Sequence, residues 1–146
     1  MEESLTLLKL IKRDFGLGEV DLRTLSPLTL AFVGDCIYDL ILRTVIVERH
    51  NASPNQLHRE KSRLAKASAQ AQMAEALQPH LTPEEEAVYR RGRNAKSHTT
   101  AKNASVLDYR KATGLEALYG YLYLSGQEER LLQLLRLSLD ELGWRL

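Results

Sequence analysis

Cys36 is the only cysteine in the 146 residues. It can close no internal disulfide, and a zinc site would need more Cys or a clustered set of His. The four histidines, His50, His58, His80 and His98, show no metal-ligand spacing. No apolar run approaches the roughly 20 residues of a membrane span, so no membrane partner is expected. The N-terminal MEESLTLLKLIKRDF lacks a basic stretch followed by an apolar core, so it does not read as a secretory signal. A cytoplasmic protein is the simplest expectation. Strand signals are nearly absent, because apolar residues recur at helical rather than alternating spacing. There is no internal repeat, no low-complexity tract and no linker. The length suits one domain with a real core and is too short for two of ordinary size. The expectation is a single all-α domain over residues 1–146.

What the chain does contain is a set of helix starts. Ser26-Pro27 and Ser53-Pro54 each place a capping side chain before a proline at the first helical position. Thr82-Pro83-Glu84-Glu85 adds a capping box. The predicted helices cover residues 3–14, 27–50, 54–78 with a break near Ser62, and 83–91. They continue over 105–124, with a break near Thr113-Gly114, and 127–143. Residues 92–103, led by Gly92, have no apolar periodicity and read as a functional loop.

Charge is segregated. Residues 90–111 carry seven Lys/Arg and one Asp/Glu, while residues 1–89 carry 10 and 13. That concentration is the footprint of a polyanion partner, and a solvated basic loop is the plainer alternative.

Two acids stand out from their surroundings. Asp35 lies in a helix that is apolar nearly all round, the pattern of a buried helix. Gly34 beside it costs helix stability, which is tolerable where another backbone or a ligand must come close. Glu116 is the only charge in the run from Ala112 to Leu124, with Gly120 one turn on. Unpaired buried carboxylates are costly. Either each is satisfied by a cation such as Arg43 or Arg110, or the two meet around a divalent ion, for which oxygen ligands suit Mg²⁺ or Mn²⁺. The basic segment just before Glu116 favours the second reading, because phosphodiester chemistry needs a metal beside a polyanion site. Asp39, one turn after Asp35, either helps hold that ion or pairs with Arg43 at i+4.

These residues resemble ribonuclease III. Leu30-Ala31-Phe32-Val33-Gly34-Asp35-Cys36 is similar to the second half of that family's first signature, E-x-L-E-F-L-G-D-A. Thr113-Gly114-Leu115-Glu116-Ala117-Leu118-Tyr119-Gly120-Tyr121-Leu122-Tyr123-Leu124 resembles the second, D-x-F-E-A-L-x-G-A-x-Y-L. Arg91-Gly92-Arg93-Asn94-Ala95-Lys96-Ser97-His98 followed by Tyr109-Arg110-Lys111-Ala112-Thr113-Gly114 looks like the Mini-ribonuclease III subfamily. The resemblance covers residues 25–126.

It implies an all-helical ribonuclease III endonuclease-domain bundle, homodimeric, with the signature helices near the dimer interface. It implies metal-dependent cleavage of double-stranded RNA with Mg²⁺, for which Mn²⁺ can substitute, leaving 5′-phosphate and 3′-hydroxyl ends. Asp35 and Glu116 match two of the family's four metal-binding carboxylates and are the catalytic and metal-ligand candidates. The other two positions hold Ala31 and Thr113, which leaves the metal count open. Arg90, Arg93, Asn94, Lys96 and Lys102 are the RNA-binding candidates; His98 suits a hydrogen bond within the loop better than a phosphate contact. The usual double-stranded-RNA-binding domain is missing after the second signature. A second source of recognition is therefore expected, either structured RNA or an accessory ribosomal protein. The subfamily points to maturation of large-subunit (23S) ribosomal RNA precursor ends. The competing readings are a non-catalytic RNA-binding protein on the same fold and a helical scaffold in which the two acids form ion pairs.

Overall fold

The structure, a computed structural model, describes residues 6–96 and 105–146. Among them are seven α-helices and no strand: α1 (Leu7–Asp14), α2 (Pro27–Arg49), α3 (Pro54–Ala65), α4 (Ala67–Leu77), α5 (Pro83–Asn94), α6 (Val106–Leu124) and α7 (Glu128–Leu142). The all-α expectation holds. Single 3₁₀ turns at Leu22–Thr24 and Gln78–His80 were not foreseen.

The helix starts follow from local chemistry. Ser26 Oγ accepts from the Thr29 N–H at 3.1 Å, Ser53 Oγ from Gln56 at 3.3 Å and Ser105 Oγ from Asp108 at 3.0 Å. Each satisfies a donor that the first helical turn leaves without a partner. Pro27, Pro54 and Pro83 sit at helix starts, where a missing N–H costs nothing. The capping box forms reciprocally, with Glu85 N–H on Thr82 Oγ1 and Thr82 N–H on Glu85 Oε1. Arg130 of α7 then forks onto both oxygens of Glu85 at 2.8 Å and onto the His80 carbonyl at 2.9 Å, tying the α5 start to α7.

Helix α6 is the central element. Leu115, Leu118, Tyr119 and Leu122 are buried among Tyr38 and Leu42 of α2, Met73 and Leu77 of α4, and Leu131, Leu134 and Leu135 of α7, while Ala117 packs with Leu30 and Ala31 of α2 and Val88 of α5. Tyr38 and Tyr119 stack at 5.6 Å.

Three expected boundaries move. The break expected near Ser62 falls at Lys66, whose extended backbone separates α3 from α4. No proline or glycine marks it. The Leu64 carbonyl is taken by the Tyr38 hydroxyl at 2.6 Å and the Ala65 carbonyl by Gln70 Nε2 at 2.8 Å. Tertiary partners thus satisfy the carbonyls that the α3 end releases. The break expected near Thr113-Gly114 does not occur, and α6 runs unbroken. Helix α5 continues through Gly92 to Asn94 instead of stopping near Arg91.

The glycines explain both of these last differences. A Cβ at Gly92 would lie 2.8 Å from Ala117 Cβ and 2.9 Å from Gly114 Cα, and one at Gly114 would lie 2.8 Å from the Tyr89 carbonyl oxygen. These are close-approach glycines that let α5 lie against α6, not helix terminators.

Candidate active site

The crossing of α2 and α6 is closer still. A Cβ on Gly34 would fall 1.6 Å from the Glu116 carbonyl oxygen, and one on Gly120 would fall 1.9 Å from the Leu30 carbonyl oxygen. Only glycine permits backbones this near each other. Asp35 follows Gly34, and Glu116 carries the carbonyl that Gly34 faces. The crossing therefore brings together two carboxylates that are 81 positions apart in sequence.

The two side chains are neighbours at the crossing. Burial pushes the Glu116 carboxyl up to about 8, and the adjacent Asp35 charge and hydrogen bond add to the rise. The buried Gln70 side chain contacts Glu116 too and pulls the other way. Glu116 also faces Tyr38, whose hydroxyl is held protonated by burial and by that neighbouring charge.

No lysine or arginine forms a salt bridge with either acid among the described residues. Arg43 binds Asp39 at 2.6 Å instead, and Arg110 is exposed. Ion pairing with Arg43 therefore does not explain Asp35. Asp39 is also bound by Lys61 at 3.1 Å. Partial burial would raise its pKa, but Lys61 and Arg43 outweigh that and hold it below the usual carboxylate range. Its charge is already spoken for.

One expectation about Asp35 is corrected. It is exposed, as are Cys36, Leu28, Leu40, Val47 and, at 80%, Phe32. Helix α2 is apolar all round, yet within a single chain one side of it meets solvent. Glu116 is only part exposed and forms the inner wall of the site.

The donor set consists of two carboxylates, oxygen donors that suit Mg²⁺ or Mn²⁺ better than zinc. Among the described residues no group of three or more His, Cys, Asp or Glu gathers. Ala31 offers no oxygen, and the Thr113 hydroxyl donates to its own helix at Tyr109 O, 3.0 Å. A cation here would keep several waters, as Mg²⁺ commonly does.

The basic candidates lie at the end of α5. Arg90 and Asn94 are exposed on its last turns, and Lys96 is exposed just beyond them. Arg90 pairs with Glu86 at 3.3 Å, and Arg93 stands 5.9 Å over the Tyr89 ring. Because Gly92 abuts Gly114 and Ala117, this basic turn runs beside the stretch of α6 that carries Glu116. Lys102 and His98 lie outside the described residues. His50, His58 and His80 are separately engaged with Glu60, Ser62 and Glu141.

Residues 28–127 match the ribonuclease III domain family. The chain is 42% identical to Mini-ribonuclease 3 of Clostridium tetani over 133 residues, covering 88% of each. It is 51% identical to that of a Thermoanaerobacter species, covering 80% of this chain and 82% of the relative. The Mini-ribonuclease 3 of Enterococcus faecalis is 47% identical, covering 84% and 95%. The crystal structure of protein FN1578 from Fusobacterium nucleatum superposes with a TM-score of 0.75 at 27% identity, covering 84% of this chain and 98% of that one.

The chain belongs to the ribonuclease III family, in its Mini-ribonuclease 3 branch. This family membership makes it an endoribonuclease, and the scaffold and non-catalytic readings lose their footing. The ribonuclease III signatures fall on the two helices that cross at Gly34 and Gly120. Among the described residues no helix is long and apolar enough to cross a membrane.

Sequence reasoning missed Gln70 and Tyr38, both of which flank Glu116. No local signal separates Gln70 from Gln72 two positions on in the alanine-rich run Ala67–Leu77; only its burial does.

Proposed function

We propose that this endoribonuclease is a single catalytic domain that hydrolyses double-stranded RNA with Mg²⁺, for which Mn²⁺ can substitute. Its substrate would be the ends of large-subunit ribosomal RNA precursors. The observation that carries the reading is the convergence of Asp35 and Glu116 without a basic partner, next to a turn rich in arginine.

In this reading Asp35 and Glu116 hold the cation, and Glu116 gives up its proton as the ion binds. When bound, the cation supplies a water of lowered pKa and positive charge for the phosphate oxygens. Arg90, Arg93, Asn94, Lys96 and Lys102 bind backbone phosphates and hold the strand in register. A-form RNA is recognised mainly by shape, phosphates and 2′-hydroxyls, which suits such a surface. Hydrolysis adds water oxygen to phosphorus and releases O3′ as a hydroxyl, leaving 5′-phosphate and 3′-hydroxyl ends.

The open side of α2 supports a homodimer. Leu28, Phe32, Cys36, Leu40 and Val47 make an apolar stripe flanking Asp35, and such a surface marks an interaction site. A second copy on this stripe would line a duplex with two sites, one for each strand. Recognition beyond the phosphates would come from folded RNA or from an accessory ribosomal protein in the cytoplasm.

The test is cleavage of a precursor ribosomal RNA duplex with Mg²⁺ and with EDTA, in the wild type and in Asp35→Asn. The expected result is cleavage only by the wild type with Mg²⁺. Full activity in EDTA would overturn the metal reading. Cleavage of unrelated duplexes but not of the precursor would overturn the substrate assignment alone.

A further inference from the structure

A second concentration of positive charge lies outside the site described above, and no stretch of the sequence announces it. Arg49 closes α2, Arg63 is on α3, Arg136 is on α7 and Arg145 follows α7, so 96 positions separate the first from the last. Folding brings them around two adjoining cavities. Arg49, Arg63 and Arg145 line one of these with His50 and Glu60, and Arg49, Arg136 and Arg145 line the other. Arg63 also donates to the Arg145 carbonyl at 3.1 Å, which ties the segment after α7 to α3.

All four arginines are exposed, and among the described residues none forms a salt bridge. The acids nearby do not answer them. Glu60 is taken by His50 at 2.8 Å, and neither Asp140 nor the Leu146 carboxylate pairs with any of the four. Arg13, Arg23 and Arg43, by contrast, each hold an acid. Guanidinium groups gathered without counter-charges repel one another, and an anion relieves that repulsion. The planar fork of donors on each suits phosphate in particular.

The place of the patch on α2 says which phosphates. Arg49 comes fourteen positions after Asp35, just under four helical turns, so the two project to nearly the same side of α2 about 21 Å apart. Helix α3 packs on α2 between them, and there Lys61 and Arg43 outnumber Asp39, the acid they share. A phosphate ion would fill one cavity only. An extended polyanion held at Asp35 reaches the arginines across a stretch where cations exceed the acid. We propose that Arg49, Arg63, Arg136 and Arg145 form a second RNA-binding surface, which takes backbone phosphates of the substrate beyond the point of cleavage. The proposal rests on the RNA reading given above, and it adds a footprint separate from the end of α5.

The test is filter binding of an RNA duplex of about 30 base pairs, roughly twice the span of one double-stranded-RNA-binding domain. It is run across a salt series with Mg²⁺, in full chains carrying Asp35→Asn so that the RNA stays whole, with circular dichroism confirming the fold. Arg49→Gln with Arg136→Gln should raise the Kd about tenfold and lower the slope of log K against log salt by about 1.5, as fewer counterions are released. Arg49→Glu with Arg136→Glu should raise the Kd further. Arg13→Gln with Arg23→Gln removes the same charge from arginines already held by Asp14 and Asp21, and should leave Kd and slope where they were. Unchanged Kd and slope in both Arg49–Arg136 pairs would overturn the proposal in favour of an acidic protein partner for the patch. An equal loss in the Arg13–Arg23 control would overturn it too, since net charge alone would then explain the effect. If the glutamate pair fails to fold, the glutamine pair decides. Failure of the RNA reading looks different: Asp35→Asn with every arginine in place would show no salt-dependent affinity for the duplex.

Discussion

Replacing Glu116 with glutamine should make the metal-free protein more stable at alkaline pH. In the folded state burial, helped by Asp35, raises this carboxyl from its ordinary 4.5 to about 8. Between those two values the folded state holds a proton that the unfolded state has lost. Stability therefore falls as pH rises from about 4.5 to about 8, and the loss is complete above the folded value. At 1.36 kcal/mol per pKa unit the full gap would correspond to about 5 kcal/mol. The carboxyl is part open to solvent, and screening on that side brings a usable figure to about 2 kcal/mol.

Glutamine keeps the shape and carries no charge, so the variant escapes the loss. In EDTA at pH 8.5 and fixed protein concentration, Glu116→Gln should melt about 6 °C above the wild type, taking about 3 °C per kcal/mol for a chain of this size. At pH 4 the two should coincide. Saturating Mn²⁺ at about 100 times its Kd should recover about 2.7 kcal/mol in the wild type and nothing in the variant. Calorimetric scans across pH 4–9 read all three. Parallel pH profiles for the two proteins would refute the claim that Glu116 sits half-buried against a second carboxylate.

Gly34→Ala should cost at least about 3 kcal/mol and abolish cleavage, since its Cβ would collide with the Glu116 carbonyl oxygen; a denaturant midpoint close to the wild type would disprove the tight crossing. Glu85→Ala should cost about 3 kcal/mol by removing the carboxylate half of the α5 capping box, which accepts from the Thr82 N–H, and leaving Arg130 without its carboxylate. The Arg130 hydrogen bond lowers the Glu85 pKa, so this contribution exists above the unfolded carboxylate value and fades as pH falls through the folded one; equal urea midpoints for wild type and variant at pH 7 would count against it. Arg93→Ala with Lys96→Ala should weaken duplex RNA binding and lower the slope of log K against log salt by about 1.5, as fewer counterions are released; an unchanged slope in filter binding would remove the α5 end from the interface. If the exposed side of α2 is the proposed dimer interface, the wild type should sediment as a dimer and Phe32→Ser with Leu40→Ser as a monomer; a wild-type monomer, or an unaltered mass in the variant, would contradict that interface.

Much of this was legible in the chain. Ser26, Ser53 and Thr82 with the prolines after them mark helix starts because capping is a local interaction. Asp35 and Glu116 were conspicuous because each is an acid among apolar neighbours with a glycine close by, and the Gly34–Gly120 crossing is the close approach those glycines allow. What could not be read locally depended on partners. The break at Lys66 has no local signal, since Tyr38 and Gln70 satisfy the carbonyls it frees. Gly92 resembles a terminator in sequence and acts as a spacer in space, and only the position of Ala117 distinguishes the two. The uniform apolarity of α2 reads as full burial, although a single chain covers only part of it.

The central claim is that Asp35 and Glu116 jointly hold the ion on which RNA cleavage depends. Its most direct test is a Mg²⁺ titration of duplex RNA cleavage by wild type, Asp35→Asn and Glu116→Gln, with circular dichroism confirming that each is folded. The account predicts saturable, Mg²⁺-dependent cleavage by the wild type and at least a hundredfold slower cleavage by both folded variants at every Mg²⁺ concentration. Wild-type rates in either variant would contradict it.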